Sequence, residues 1–192
     1  MKVFLNVGGG SKTTSIPNHY LGWRHDLLDI DPQVKPDILC DGREINKLRS
    51  ESYNSVYCSH NLEHYYDHDT YKVVKGFLHV LKKDGFINII VPNIFQAVNY
   101  AISNNLDIDD SLGNISFKDV IYGYGKQIET SNNDFYAHKT GFTAKSLKKL
   151  VLECGFMYPV TSYGLLEIKI YAFKQKPSEE LKIMLNLKDD DF

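Results

Sequence analysis

Apolar residues fall into short continuous runs along the first half of the chain, and glycine, proline or aspartate separates them. Such runs occupy residues 2–7, 26–30, 37–40, 53–60 and 86–93. A short apolar run between turn residues is typical of a strand buried on both faces, as in a parallel sheet covered by helices. Near the end of the chain, alternating apolar and polar residues predict a last strand at 165–174.

Two other segments carry apolar side chains three and four residues apart, which is the spacing of a helix with one buried face. The first spans 68–85 and closes at Asp84 and Gly85. The second spans 142–156, with Thr143 as the predicted N-cap and Gly155 as the stop signal. Residues 94–136 lack a clean period and are rich in Asn, Asp, Gly and Tyr, so we interpret them as an insertion over a site.

This order of elements predicts an α/β fold, since strands alternate with helices and a glycine loop follows the first strand. The sheet is expected to be doubly wound, mostly parallel and Rossmann-like, with a lid-like insertion at about 94–136 before the last helix. We predict one domain over 1–176, followed by a short helix and an acidic tail over 177–192.

Composition narrows the class of protein. Among the 192 residues, 43% are hydrophobic and 24% charged, which is globular and argues against a disordered chain. A net charge of −2 offers no general attraction to nucleic acid, and no apolar run is long enough for a membrane span. Cys40, Cys58 and Cys154 are far apart and form no C-x-x-C pair, so we expect a reducing, cytoplasmic location. The oligomeric state is left open.

Glycine and aspartate residues follow three successive predicted strands. Gly8 and Gly10 end the first strand, Asp29 the second and Asp41 the third. The carboxyl ends of parallel strands meet at one edge of a sheet, and ligands bind there. Asp29, 21 residues after Gly8, is placed to accept from ribose hydroxyls, and Asp41 could accept from an adenine amino group. Each residue alone could also be an ordinary turn or cap residue.

The dinucleotide fingerprint G-x-G-x-x-G is incomplete. Thr13 stands where the third glycine should be, and helix-forming residues are scarce from 11 to 20. The loop therefore offers no helix N-terminus for a pyrophosphate, which disfavours a nicotinamide cofactor and favours an adenosine ligand without phosphate.

The stretch "SHNLEH", residues 59–64, allows three interpretations. His60, Glu63 and His64 have the H-x-x-E-H spacing of a zinc-protease helix, but such a site needs a helix and a third ligand. The apolar run before His60 places that residue at a strand end, and no third ligand can be named. We therefore expect no metal, and we favour a cofactor pocket or a simple helix start.

The sequence resembles class I S-adenosylmethionine-dependent methyltransferases. The matching stretches include "LNVGGG", "LLDID", "DILCDG", "YNSVYCSHNLEHYYD" and "FLHVLKKDGFINIIVPN". The resemblance implies S-adenosyl-L-methionine as cofactor. It also implies residues that bind it: Gly8, Gly9 and Gly10 beneath the methionine and ribose, Asp29 on the ribose, Asp41 at the adenine and His60 near the sulfonium.

The implied reaction is methyl transfer to an oxygen or nitrogen of a small-molecule or sugar acceptor. His64 and His138 are candidate general bases, and Tyr122 and Tyr124 are candidate substrate contacts. Asn6 replaces an acidic residue that is usual in the family. A non-catalytic module that binds adenosine or S-adenosylmethionine is therefore the alternative, and a nicotinamide-dependent oxidoreductase is the third.

Overall fold

A seven-stranded sheet and a separate two-stranded sheet contain all the strands of the computed structural model, which describes residues 1–112 and 115–192. The strands are β1 (Val3–Val7), β2 (Arg24–Asp29), β3 (Ile38–Leu39), β4 (Tyr53–Ser59), β5 (Leu81–Pro92), β6 (Ser111–Leu112), β7 (Ile115–Ser116), β8 (Met157–Tyr163) and β9 (Glu167–Phe173). The helices are α1 (Asp67–Val80), α2 (Ile94–Ser103), α3 (Phe117–Tyr122), α4 (Gly125–Ser131), α5 (Ala144–Glu153) and α6 (Glu179–Leu185). β6 and β7 pair only with each other within these ranges.

The large sheet has the strand order β3-β2-β1-β4-β5-β9-β8. β1 to β5 are parallel, and β9 runs antiparallel to both its neighbours. The chain builds outward from β1 to β3 and then returns to the other side of β1 as β4. This reversal between β1 and β4 is the topological switch point at which open α/β sheets bind ligands. The predicted doubly wound, mostly parallel sheet is confirmed.

Both faces of the sheet are covered, as the continuous apolar runs require. On one face, Leu5 and Val7 of β1 pack in a core that includes Phe77 of α1 and Leu147 of α5. The opposite face carries an aromatic cluster capped by Leu185 of α6. The members of this aromatic cluster are Phe4, Tyr20, Tyr57, Phe86, Tyr171 and Phe173.

β8 was not predicted from the sequence. It is interrupted by Pro159, and its pairing with β9 shifts register between Met157 and Val160. Proline cannot donate to a sheet, so it is confined to edge strands and bulges, and β8 is the edge strand here. The sequence of β8 therefore resembles that of a loop, although this segment forms the edge strand of the sheet.

The helix predicted to close at Asp84 and Gly85 ends earlier. α1 stops at Val80, and Leu81 is already paired with Tyr53 in the sheet. Between this pair and the pair of Ser55 with Phe86, the register shifts, so the Asp-Gly turn signal marks an irregularity inside β5. The helical spacing of apolar residues includes Leu81 because this residue is also fully buried, although it belongs to the strand.

The predicted insertion at 94–136 contains regular structure within its described part. α2 buries the small residues Ala97 and Ala101 and exposes Phe95 and Ile102. Its large apolar side chains thus lie on the solvent side, which explains why the hydrophobic period gave no helix signal. In the described ranges, no helix is both long enough and apolar enough to span a membrane.

Candidate functional site

A cavity of about 370 Å³ opens at the carboxyl ends of β1 to β4, at the switch point of the sheet. This volume lies within the roughly 300–1,000 Å³ that is usual for small-molecule sites. Six residues predicted from the sequence line it: Gly8, Gly10, Asp29, Asp41, His60 and His64. The prediction that strand ends converge on one pocket is therefore correct in its geometry.

The glycine loop follows β1 and is held against β2 by a hydrogen bond from Gly8 N to Leu28 O of 2.8 Å. Gly8 has φ +68°, and a Cβ there would lie 2.0 Å from the side-chain nitrogen of Asn61. At Gly9 a Cβ would lie 2.2 Å from the side-chain nitrogen of Asn6. The loop can therefore approach its neighbours this closely only because it lacks side chains.

Asp29 ends β2 and ties two segments of backbone together. Its Oδ2 accepts from Gly10 N at 3.2 Å, and its Oδ1 accepts from Asp31 N at 3.0 Å. A carboxylate has about four lone-pair positions, so two of them remain for a ligand in the cavity. Asp29 thus shapes the glycine loop and also offers acceptor capacity at the cavity wall.

Most of the hydrogen-bond acceptor positions of Asp41 are taken by Arg43, a residue that the sequence analysis did not identify. The guanidinium contacts both carboxylate oxygens, with Nη2 2.5 Å from Oδ2 and Nε 3.1 Å from Oδ1, and Arg43 N also donates to Oδ1 at 2.9 Å. Burial alone would raise the pKa of Asp41, but the hydrogen bonds from Arg43 outweigh it and hold the pKa below its usual value. Little acceptor capacity is left on this carboxylate.

His60 lies just after β4, where its N–H donates to Ile90 O at 2.9 Å. It is therefore outside any helix, as predicted. Its Nε2 is 2.9 Å from Glu167 Oε1, and its Nδ1 is 3.6 Å from Glu63 Oε1. The hydrogen bond with Glu167, followed by the interaction with Glu63, raises the pKa of His60 to about 10. The two carboxylates therefore favour the protonated form of His60.

A buried carboxylate and two more imidazoles lie close to His60, and one of them, His64, also lines the cavity. Glu63 is 1% exposed, and its Oε1 is 3.9 Å from His138 Nε2. The His138 and His64 rings are 5.0 Å apart, and His64 Nδ1 donates to Ala137 O at 3.0 Å. Burial lowers the pKa of His138 despite the opposing charge of Glu63. The fold thus brings His138 to His64, although an insertion separates them in the sequence.

Other predicted residues lie elsewhere. Tyr122 and Tyr124 are 58% and 51% exposed and are not among the described residues that line the cavity. Gly9 and His138 lie behind the lining. Residues that the sequence analysis missed line the cavity instead: Arg43, Tyr65, Tyr66, Phe135, Tyr136 and Lys139. Phe135 and Tyr136 are adjacent aromatic residues at the end of the segment interpreted as an insertion, and this was the one signal available for them.

No protein-family model matches the sequence, and no curated protein matches it. Solved structures do match the fold. A SAM-dependent methyltransferase from Archaeoglobus fulgidus aligns with a TM-score of 0.58 and 14% identity, over 90% of this chain and 86% of that one. A second similar structure is a SAM-dependent methyltransferase from Thermotoga maritima, with a TM-score of 0.55, 14% identity and coverage of 91% and 83%.

A third similar structure contains ligands. It is 1,6-didemethyltoxoflavin-N1-methyltransferase from Burkholderia thailandensis, bound to 1,6-didemethyltoxoflavin and S-adenosylhomocysteine. The TM-score is 0.57 and the identity 15%, over 91% of this chain and 71% of that one. At such identities the similarity establishes a shared fold.

Proposed function

We propose that the protein is an S-adenosylmethionine-dependent methyltransferase that acts on an oxygen or nitrogen of a small-molecule or sugar acceptor. The observation that carries this proposal is the meeting of Gly8, Gly10 and Asp29 at one cavity at the switch point. The shared fold with solved methyltransferases supports it.

The residues of the cavity suit this cofactor. Asp29 retains acceptor positions for ribose hydroxyls, and the bare backbone at Gly10 has open space where a side chain would stand. When bound, S-adenosylmethionine supplies a methyl group made electrophilic by the positively charged sulfur. Because Arg43 already takes most of the acceptor positions of Asp41, we expect Asp29 to contribute more to cofactor binding than Asp41 does. The predicted role of Asp41 at the adenine stays a prediction.

A general base is needed if the acceptor is a hydroxyl. His64 is the better placed of the two candidates because it lines the cavity, whereas His138 lies behind it. A carbonyl oxygen can only accept, so the bond to Ala137 O places a proton on His64 Nδ1 and leaves Nε2 free to take another. Acceptor contacts are better supported for Phe135 and Tyr136, which line the cavity, than for Tyr122 and Tyr124.

The glycine loop bears on one of the two alternative functions, the nicotinamide-dependent oxidoreductase. After Gly10 the chain forms turns and then a single 3-10 turn, Asn18–Tyr20, so the loop presents no α-helix N-terminus to a pyrophosphate. This disfavours the nicotinamide-dependent oxidoreductase.

The other alternative, a non-catalytic binding module, was suggested by Asn6. Its side chain is buried and hydrogen-bonded to His25 at 3.1 Å. A non-catalytic binding module would share the cofactor site and would differ in turnover.

We also propose a cytoplasmic location and a small-molecule acceptor. All three cysteines, Cys40, Cys58 and Cys154, are free thiols, as expected in a reducing compartment.

Calorimetry with S-adenosylhomocysteine tests the cofactor. Each charge-assisted bond is worth about 1.5–3 kcal/mol, so we expect Asp29→Ala to weaken binding about 10- to 100-fold. Asp29→Asn keeps one acceptor oxygen and should weaken it less. The control is Asp84→Ala, which removes the same charge from an exposed position in β5 that does not line the cavity. Its affinity should match that of the unmodified chain.

Two results would contradict the proposal. One is tight NAD binding without a response to S-adenosylhomocysteine. The other is an Asp29→Ala variant that is folded and binds S-adenosylhomocysteine normally. That result would mean that Asp29 does not contact the ribose. Transfer of a labelled methyl group from the cofactor to a library of hydroxyl and amine acceptors then separates the enzyme from the binding module.

A further inference from the structure

Glu63, His64 and His138 bring three metal-ligating atoms together at the edge of the cavity, where His64 forms part of the lining. One ligand atom from each residue lies within 4.8 Å of those of the other two. Glu63 and His64 come from the 3-10 turn Leu62–His64 that follows β4, whereas His138 follows the insertion. The expectation of no metal depended on a missing third ligand, and His138 supplies one.

The carboxylate of Glu63 is the least satisfied group in this cluster. It is 1% exposed, and neither of its oxygens has a hydrogen-bond partner among the residues that the structure describes. The nearest imidazole nitrogens, His60 Nδ1 at 3.6 Å and His138 Nε2 at 3.9 Å, are beyond hydrogen-bond distance. A buried carboxylate without hydrogen bonds is unfavourable unless a cation or a metal compensates it.

The two imidazoles are oriented as metal ligands usually are. A ligating histidine typically donates its other ring N–H to a carbonyl or carboxylate, which fixes the tautomer. His64 Nδ1 donates to Ala137 O and so leaves the Nε2 lone pair available. The Nε2 atom of His138 faces Glu63.

We propose that Glu63, His64 and His138 form a binding site for a divalent first-row metal ion, with Zn²⁺ as the ion to test. Two histidines and one glutamate are a known ligand set for zinc sites that keep an open position. Bond lengths of about 2.1 Å place tetrahedral ligand atoms about 3.4 Å apart. Glu63 and His138 would therefore need to approach by about half an ångström. Because His64 lines the cavity, an ion held by these residues would lie next to it.

This site goes beyond the proposed methyl transfer. An ion bound there takes the Nε2 atom of His64, so His64 could not also serve as the general base. An acceptor oxygen or water on the ion would then be deprotonated more easily. The two roles exclude each other, and metal titration decides between them. The competing explanation for Glu63 is that a protonated His60 compensates its charge without any ion.

The experiment uses the full chain, stripped with a chelator, desalted and titrated with Zn²⁺ by calorimetry. We expect one ion per chain and at least tenfold weaker binding in both Glu63→Gln and His138→Ala. His68→Ala is the matched control, because His68 is 75% exposed and lies outside the cluster. It should bind Zn²⁺ as the unmodified chain does.

No Zn²⁺ binding by the folded chain, or unchanged binding in Glu63→Gln and His138→Ala, would overturn the proposal and favour His60 as the counter-ion. If either variant fails to fold, Co²⁺ bound to the unmodified chain decides instead. Intense visible absorption bands are expected from a four-coordinate site, and their absence would refute it. Calorimetry with S-adenosylhomocysteine is a separate readout, so failure of the metal site and failure of the cofactor site can be told apart.

Discussion

Each glycine in the loop after β1 is required for a different physical reason. Gly8 has a positive φ and lies against Asn61, Gly9 lies against Asn6, and Gly10 has a positive φ with open space around it. Only Gly10 therefore leaves room for a ligand above its Cα. At the residue scale, the loop combines one position with open space beside it and two positions that pack against neighbouring side chains.

At Gly8, the cost of backbone strain at a positive φ can be separated from the cost of a clash with Asn61. Placing alanine at a positive φ costs about 1–2 kcal/mol. Gly22→Ala should lose about this amount, because Gly22 has φ +79° and nothing within 4 Å of its Cβ position. Gly8→Ala should lose more, since Asn61 must also move. Urea unfolding of both variants measures the two losses, and equal losses would mean that Asn61 moves at no cost.

His19 makes stability depend on pH. Burial, followed by the charge of Lys169, lowers the pKa of His19 to about 4, and its Nε2 is buried without a hydrogen-bond partner in the described ranges. The unfolded chain takes up a proton near pH 6.5, whereas the folded chain does so only near pH 4. Stability should therefore fall as the pH drops from about 6.5 to about 4.

His19→Phe removes this titration and keeps an aromatic ring beside Tyr20, whose centroid is 4.2 Å from that of His19. Unfolding free energies at pH 7.5 and pH 5 should differ less in this variant than in the unmodified chain. His68→Ala, which changes an exposed histidine, should leave the difference as it is. The interpretation is wrong if His19→Phe and the unmodified chain lose the same stability over that interval.

Among the predicted site residues, those at the end of a strand lie at the cavity. Gly8, Asp29 and His60 reach the cavity because parallel strands end at one edge of the sheet. The sequence did not reveal that Arg43 would pair with Asp41, because two acids lie within reach of that guanidinium, Asp41 at 2.5 Å and Asp69 at 3.4 Å. Competition between partners depends on side-chain geometry, which spacing along the chain does not specify.

At the scale of elements, the strands with continuous apolar runs were predictable and the others were not. From Phe86 onward, β5 is buried on both faces and is visible in the sequence as a nearly continuous apolar run. β8 lies at the sheet edge, is partly exposed and contains Pro159, so it lacks that pattern. α2 was hidden for the opposite reason, because its large apolar side chains are exposed. Burial pattern, more than intrinsic propensity, decides whether an element can be recognised.

α6 was predicted as a short helix, and its packing gives it a clear role. Leu185 is 7% exposed and closes the aromatic cluster, whereas Ile183 on the same helix is 78% exposed. Leu185→Ala should reduce the free energy of unfolding by about 2–5 kcal/mol, and Ile183→Ala should change it by no more than about 0.5 kcal/mol. Urea unfolding measures both. Equal small effects would mean that α6 contributes little to covering the sheet.

At the scale of the whole molecule, the sheet order creates the site. β4 returns beside β1 after β2 and β3 have been laid on the other side, and the cavity opens where the direction reverses. The later segment then closes over the cavity, since Phe135, Tyr136 and Lys139 line it. The mixed end of the sheet, β9 and β8, lies on the far side of β5, away from the glycine loop.

The sequence by itself determined the α/β class, the buried strands, the glycine loop and the aspartates at the strand ends. These features are local, because apolar period and turn chemistry depend on residues within a few positions of each other. Only the tertiary structure decided that His138 lies 3.9 Å from Glu63 and that Glu167 pairs with His60. Those contacts join residues far apart in the chain, and they follow from how the insertion and β9 pack on the parallel strands, which no local pattern encodes.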